Sequence, residues 1–396
     1  VEERPNLHAE LGGGVATDQG IKVFARGGHR NLFGLGHRLT LLGQTGIGWV
    51  GDGWSLDVLA PEWKAALRYE APNIPARGER VALDLVFNEQ EQEPTYRLER
   101  SGGALGVLLH LGDHGTAELA YRIQARRLLD VDPGAVVAGD PWLDELSLAD
   151  VADPAPTLPS AIRFQSGLDL SFVLDLRDDP FNPTRGGVGS LLVSVTDEVL
   201  SDLTYLRGEG SWAWWLPIGG FGLQGRLRGG AAWVPEGGGT LPLEDRFRLG
   251  GGANLRGFAL DSVGPANEVS REDVPFGDAL GPIVDYGGRD EGSRWVATGG
   301  DAMALGSLEF RIPFEKLGLQ KWAGNQLALF ADAGNVWFLD PDVADSQATD
   351  PLLRWSVGVG WRRATVIGPI QVDVGFNPAR LRDEALVRLH VSLGAL

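Results

Sequence analysis

Residues 369–376, with the sequence PIQVDVGF, indicate the fold class of this chain. Apolar side chains alternate there with polar or small ones: Ile370, Val372, Val374 and Phe376 against Gln371, Asp373 and Gly375. Successive side chains of a β-strand point to opposite faces of the sheet. The segment therefore predicts a strand with one apolar and one polar face, as in half-exposed antiparallel sheets.

The same alternation recurs along the whole chain. It is clear in WSVGVGWR (355–362), VRLHVSLGA (387–395), LQGRLRGGAAW (223–233) and SLEFRI (307–312). About sixteen such strands are predicted, an even number of alternating segments that is typical of a transmembrane β-barrel. They begin near Leu7, Ile21, Arg38, Trp63, Val81, Thr95, Ala117, Ile162, Gly189, Leu203, Leu223, Ser307, Leu327, Trp355, Ile370 and Val387. We find no comparable helical segment and no apolar run long enough for a membrane-spanning helix.

A soluble β-sandwich would also alternate, with its apolar faces turned inward. Three features favour the membrane barrel, whose apolar faces contact lipid and whose polar faces line a wet lumen. Tryptophans fall near predicted strand ends, as an aromatic girdle requires, and long and short connections alternate. The polar faces carry balanced charges: Lys22, Arg26, Lys64, Arg68, Glu70, Asp84, Arg226, Glu309 and Asp373.

The lengths of the connections orient the barrel. NLFGLG, DDPFNPTRGG and VIGPI form short turns on one side, and residues 130–160, 235–300 and 339–353 are long connections on the other. Outer-membrane barrels have short periplasmic turns and longer external loops. We therefore predict one barrel domain over residues 1–396, with external loop 4 at about 130–160 and loop 6 at about 235–300.

The charge of the chain excludes some functions. A formal net charge of −18 argues against nucleic acid as a partner, because its binding needs clustered Lys and Arg. The chain has no cysteine, which excludes disulfides and thiolate metal sites. Many acidic residues fall in residues 130–153 and 261–291. We interpret them as solvated loop residues; divalent cations shared with lipopolysaccharide are the alternative, although no spacing here is specific for a metal.

Residues 246–258, RFRLGGGANLRGF, form the most distinctive motif of the chain. A glycine-rich run can cradle phosphate, but no Gly-Lys-Ser/Thr follows and no strand-to-helix unit surrounds it. The motif resembles the sixth external loop of the BamA/TamA superfamily of outer-membrane insertases, which carries an Arg-Gly-Phe or Arg-Gly-Tyr tip. Further segments resemble that family in the same order: residues 30–36, 177–187, 306–314, 330–337 and 368–378.

The resemblance implies a sixteen-stranded barrel with loop 6 folded into its lumen. The tip would be Arg256, Gly257 and Phe258, and the arginine would pair with Glu309 and Asp332 on the twelfth and thirteenth strands. The residue chemistry agrees, since a guanidinium fork suits carboxylates and an aspartate facing lipid would be costly. The resemblance covers only the barrel, and we expect no POTRA domains in this chain.

The implied function is assembly of outer-membrane proteins through a lateral seam between the first and last strands. On one side we expect Gly12, Gly13 and Gly14, which would weaken the first strand, and on the other His390 and Gly394. The alternative is that these glycines reflect only the 57 glycines of the chain. An open seam would expose unpaired backbone that can template a client strand.

The expected partners are outer-membrane lipids and lipopolysaccharide, unfolded outer-membrane clients, and periplasmic or lipoprotein accessory subunits. We expect no enzyme activity, cofactor or metal. His390 and Ser392 share a strand face, but i and i+2 residues lie about 7 Å apart, too far for a catalytic dyad, and His110 and His114 have metal-like spacing only on a helix. A two-partner-secretion pore of the same superfamily and a structural anchor for a surface complex remain alternative functions.

Overall fold

The protein is a closed antiparallel barrel in the computed structural model. The structure describes residues 6–50, 58–72, 79–129, 131–137, 139–140, 162–180, 182–201, 203–235, 239–270, 293–345, 353–365, 368–381 and 384–394. The first eleven strands are β1 (Leu7–Ala16), β2 (Gly20–Leu32), β3 (His37–Val50), β4 (Val58–Pro72), β5 (Arg80–Gln92), β6 (Arg97–Leu111), β7 (Gly115–Leu129), β8 (Arg163–Asp175), β9 (Gly186–Thr196), β10 (Leu206–Ile218) and β11 (Phe221–Trp233). The rest are β12 (Ala266–Ser270), β13 (Ser293–Ala297), β14 (Ala302–Pro313), β15 (Asn325–Trp337), β16 (Arg354–Thr365), β17 (Gly368–Phe376) and β18 (Val387–Gly394).

Sixteen of these strands form the barrel wall, as the alternation predicts. Each pairs with its neighbour in sequence except that β11 pairs with β14, and β1 closes the cylinder against β18. Strand starts lie within five residues of the predicted positions. The two strands β12 and β13 form a separate hairpin inside the β11–β14 connection, which the sequence analysis did not predict.

The two faces of the wall differ as a membrane barrel requires. In β16, Trp355, Val357 and Val359 are 41%, 38% and 49% exposed, whereas Ser356 between them is fully buried. Ion pairs cover the inner face, for example Arg68 with Asp84 and with Glu118. Apolar side chains therefore point outward along strands whose inward charges are paired. No helix among the described residues has the length and hydropathy to cross a membrane.

The long connections come together at one end of the barrel. Arg246 of loop 6 and Asp140 of loop 4 form an ion pair of 2.5 Å with both side chains fully buried. Asn267 of β12 donates to the carbonyl groups of Gly134 and Val136 in loop 4. The interpretation of the loop acids as solvated is thus wrong for Asp140, because an arginine from another loop covers it. Most of the other acids in these two loops lie outside the described residues.

Candidate functional site

Loop 6 leaves β11 and enters the barrel through a short ladder. Phe247 pairs with Gly300, and Leu249 pairs with Val263, so the outgoing and returning segments run side by side. Gly250 and Gly251 follow with φ angles of 123° and 92°, which side chains with a Cβ rarely adopt. The glycine run is therefore the corner at which the loop turns toward the tip.

An apolar cluster holds this corner against the wall. Loop 6 contributes residues that are at most 2% exposed, and β11, β14, β15 and the residue before β10 contribute the side chains beneath them. The cluster consists of Tyr205, Ala232, Leu241, Phe247, Leu249, Leu255, Phe258, Val263, Met303, Leu305 and Val336. Burial of this many apolar side chains gives the loop one position, since leaving would expose them to water.

Arg256 reaches the inner faces of β14 and β15. Its Nε and Nη2 donate to the two oxygens of Asp332, both at 2.8 Å, and its Nη1 donates to Glu309 at 2.5 Å. Its backbone N–H also donates to Asp332 at 3.2 Å. The guanidinium carbon lies 3.6 Å from the ring centroid of Phe330, in cation–π geometry. The structure thus brings together Arg256, Glu309 and Asp332, with the bidentate geometry that strengthens such bonds.

The group of charged side chains around Arg256 is larger than the sequence analysis expected. Arg362 of β16 donates to Glu309 and to Asp373, each at 2.7 Å, and Arg311 donates to Glu309 at 2.7 Å. Three arginines therefore face three carboxylates: Arg256, Arg311 and Arg362 against Glu309, Asp332 and Asp373. Burial alone would lower the pKa of Arg256, but its bonds to Asp332 and the charge of Glu309 raise that pKa. The alternation places Arg362 and Asp373 on lumenal faces, but no linear motif joins them to loop 6.

Gly257 and Phe258 complete the tip. A methyl group on Gly257 would overlap the side chain of Ser356, so the backbone passes too close to β16 for any other residue. Phe258 is 2% exposed, and the guanidinium of Arg354 lies 4.9 Å from its ring centroid. The tip therefore contacts the inner wall from β14 to β16.

The seam, the junction between β1 and β18, is much thinner. Among the residues that the structure describes, its register contains three pairs: Gly14 with Gly394, Val15 with Leu393, and Ala16 with Ser392. The other junctions of the barrel contain between seven and fifteen pairs. Residues 7–13 of β1 have no strand partner on the seam side among the described residues. Leu7 and Leu11 there are 72% and 83% exposed.

The structure places the predicted seam residues in different surroundings. Gly12 lies under the ring of Phe24, and a Cβ there would overlap that ring. Its absence of a side chain therefore has a packing reason besides any weakening of the strand. Gly394 has a φ of 90° and lies close to the backbone of Gly13 and Gly14. His390 is 9% exposed and faces loop 6 rather than the seam edge.

The comparisons with known proteins agree with this architecture. BamA from Haemophilus ducreyi, solved without POTRA domains 1–3, has a TM-score of 0.72 at 18% identity, over 99% of this chain and 70% of that chain. CdiB from Acinetobacter baumannii gives a TM-score of 0.52 at 13% identity, over 98% of this chain and 60% of that chain.

Two curated proteins are similar in sequence. The sorting and assembly machinery component 50 homolog of Bos taurus is 25% identical over 228 residues, which is 55% of this chain and 42% of the bovine protein. The mouse homolog is 24% identical over 224 residues, with the same coverage. The match thus spans about two fifths of the length of these relatives. The family model of the Omp85 superfamily domain matches residues 31–395. The chain belongs to the Omp85 superfamily and is an integral outer-membrane β-barrel protein.

Proposed function

We propose that this protein assembles other β-barrel proteins into the outer membrane by pairing their strands with its own β1. The observation that supports this function is the seam of three residue pairs beside the edge of residues 7–13, which has no strand partner on that side within the described part of the chain. An unpaired strand edge offers a row of backbone donors and acceptors to an incoming strand. A client that pairs there satisfies its own backbone groups, which cost several kcal/mol each when left unsatisfied in hydrocarbon.

Assembly of this kind needs no covalent intermediate and no bound cofactor. Strand pairing is an exchange of hydrogen bonds. When the last strand of the client pairs with the client's first strand in place of β1, the client barrel is closed and can leave. The bovine and mouse relatives are components of a sorting and assembly machinery, which favours assembly over passive transport. Outer-membrane lipids and accessory subunits at the periplasmic turns are further partners of this proposal.

A reversible lock of the seam tests the proposal. Ala16 and Ser392 are register partners in a chain without cysteine, so A16C and S392C create a single disulfide across the seam. Purified protein in lipid vesicles is given an unfolded small barrel, and its folded fraction is measured with the lock oxidised and reduced. We expect assembly only after reduction, because the edge of β1 is then able to separate from β18.

The matched control places the same disulfide far from the seam. Ser190 of β9 and Ser211 of β10 are register partners with their hydroxyls 2.9 Å apart, so S190C with S211C locks a complete junction. The oxidised control should assemble clients at the unmodified rate. Equal activity of the oxidised and reduced seam variants would refute the proposal.

A translocation pore of the same superfamily is the competing function. In such a pore loop 6 would plug the channel, so the burial of Leu255, Arg256 and Phe258, all at most 6% exposed, fits either function. Depleting the protein in its host separates the two functions. An assembly factor lowers the amounts of many outer-membrane barrels, and a dedicated pore affects the export of one substrate.

A further inference from the structure

Loop 6 contacts both sides of the seam. The backbone N–H of Gly252 donates to Oδ2 of Asp18 at 2.7 Å, and Asp18 lies in the β1–β2 connection, two residues beyond the end of β1. Gly251 also lies close to Asp18, because a Cβ there would be 2.8 Å from the same oxygen. The β1 side of the seam is thus bonded to loop 6 as well as to β18.

The opposite side of the seam lies against the same glycines. A Cβ on Gly252 would be 3.0 Å from Cβ of His390 in β18 and 3.1 Å from its ring. A Cβ on Gly375 of β17 would overlap the carbonyl of Arg256. Gly252 therefore lies between the C-terminal end of β1 and the inner face of β18, four residues before the buried Arg256.

The strand ladder ends at the same level. Thr17 donates its backbone N–H to the carbonyl of Val391 at 3.0 Å, and the N–H of Val391 donates to the hydroxyl of Thr17 at 3.1 Å. A side chain has replaced the backbone acceptor in the second bond, so regular pairing stops at Thr17. The next residue of the chain, Asp18, bonds to loop 6.

We propose that Asp18, Gly252 and His390 form a clasp that holds the seam closed, with Asp18 as its positioning residue. Arg256 fixes loop 6 to β14 and β15, so the clasp ties the C-terminal end of β1 to strands four and five positions away around the barrel. Opening the seam then requires the bond between Asp18 and Gly252 to break. The clasp controls how readily the seam opens. Its existence does not depend on the proposed function, on which only its biological meaning rests.

Hydrogen exchange at the seam tests the clasp without any client. Deuterium uptake is followed in peptides covering residues 7–16 and 387–394 of the protein in lipid vesicles. Amides that exchange through seam opening report the opening equilibrium directly. We expect D18A to exchange about tenfold faster there, a factor that corresponds to about 1.4 kcal/mol.

The conservative variant separates positioning from a general structural effect. D18N keeps an oxygen that accepts from Gly252, so its exchange should rise by less than about threefold relative to the unmodified protein. Glu198, an exposed acid of the β9–β10 connection, supplies the control E198A, which should leave the seam unchanged. Heat-dependent gel mobility shows whether each variant is folded. If D18A does not fold, D18S takes its place, because serine also lacks the carboxylate that accepts from Gly252.

The outcomes decide the clasp independently of the proposed function. Unchanged exchange in D18A, equal acceleration in D18N and D18A, or acceleration in E198A would each overturn it. If D18A accelerates seam exchange and D18N does not, the clasp holds. Client assembly measured on the same D18A protein then addresses the function: a more open seam without any change in assembly counts against the seam mechanism and leaves the clasp intact.

Discussion

The wall around Arg256 and the seam belong to one cylinder but are held in opposite ways. Arg256 and Asp332 have side-chain exposures of 7% and 0%, and each makes several charge-assisted hydrogen bonds. Over the described residues, the seam has three residue pairs, and Leu7 and Leu11 are exposed on the β1 edge beyond them. Loop 6 is thus anchored to β14 and β15 through buried charge, while β1 is held by few bonds. One barrel can therefore combine a wall held by many buried contacts with a junction held by few.

Reversing the charge of Arg256 should give the largest effect. R256E would place a fourth carboxylate beside Glu309, Asp332 and Asp373, and an uncompensated buried charge costs about 3–5 kcal/mol or more. We expect no folded barrel on gels, or a folded barrel with no client assembly. R26E provides the comparison on the seam side, where Arg26 and Glu10 are about half exposed and reversal should cost little. A folded and active R256E protein would show that the buried wall is not what fixes loop 6.

Removing one carboxylate from β15 and one from β5 should show how much more a buried ion pair contributes than a partly exposed one. D332A leaves the buried guanidinium of Arg256 without its bidentate partner, so we expect the free energy of unfolding to fall by about 3–5 kcal/mol. D84A removes a partner of Arg68. Because the side chain of Asp84 is 31% exposed, the free energy of unfolding should fall by at most about 1 kcal/mol. Urea unfolding in lipid vesicles measures both values, and equal losses would contradict the comparison.

Gly12 offers a way to alter β1 through packing instead of charge. G12A forces a methyl group into the ring of Phe24 and should cost about 1–3 kcal/mol, as overpacking does. The same substitution in an F24A background should cost almost nothing, because the ring is gone. G27A in β2 is the control, since the nearest atom to its Cβ is 3.9 Å away. An equal cost of G12A in both backgrounds would mean that strand weakening, not packing, explains the glycine.

The smallest effect is expected at Asp301, the residue that precedes β14. Burial raises the pKa of this carboxyl from 3.8 to about 6. A raised pKa means that the folded protein binds the proton more tightly, so this stabilisation is complete below about pH 4 and is lost as the pH rises through about 6.

D301N keeps the oxygen that accepts from the N–H of Leu339 and removes the titration. It should be more stable than the unmodified protein at pH 8 and equal to it at pH 4, in thermal unfolding at both values. A pKa difference of about 2 corresponds to about 2.7 kcal/mol. Solvent reaches part of this group, so we expect a gain of about 1 kcal/mol at pH 8. A loss of stability at pH 8 would show that the ionised carboxyl is stabilised by its neighbours.

Local patterns predict the barrel well and the site in part. The alternation gives sixteen strands because each lipid-facing strand repeats the same two-residue period. The motif at residues 246–258 leads to Arg256, and interrupted apolar strands lead to Asp332. Asp18, Arg362 and the buried pair of Arg246 with Asp140 are different cases. Each is an ordinary polar residue in its own segment and acquires its role from a segment more than a hundred residues away, or from a neighbouring strand.

The sequence by itself determines strands with one apolar and one polar face, since the period of two requires only local backbone geometry. The alternating lengths of the connections then favour a barrel with its apolar face outward. The sequence also determines which loop carries the arginine. The tertiary structure alone decides that β1 and β18 share three pairs among the described residues and that Gly252 lies between Asp18 and His390. Register at closure depends on the accumulated twist and stagger of all sixteen strands. No single segment of the chain encodes that sum.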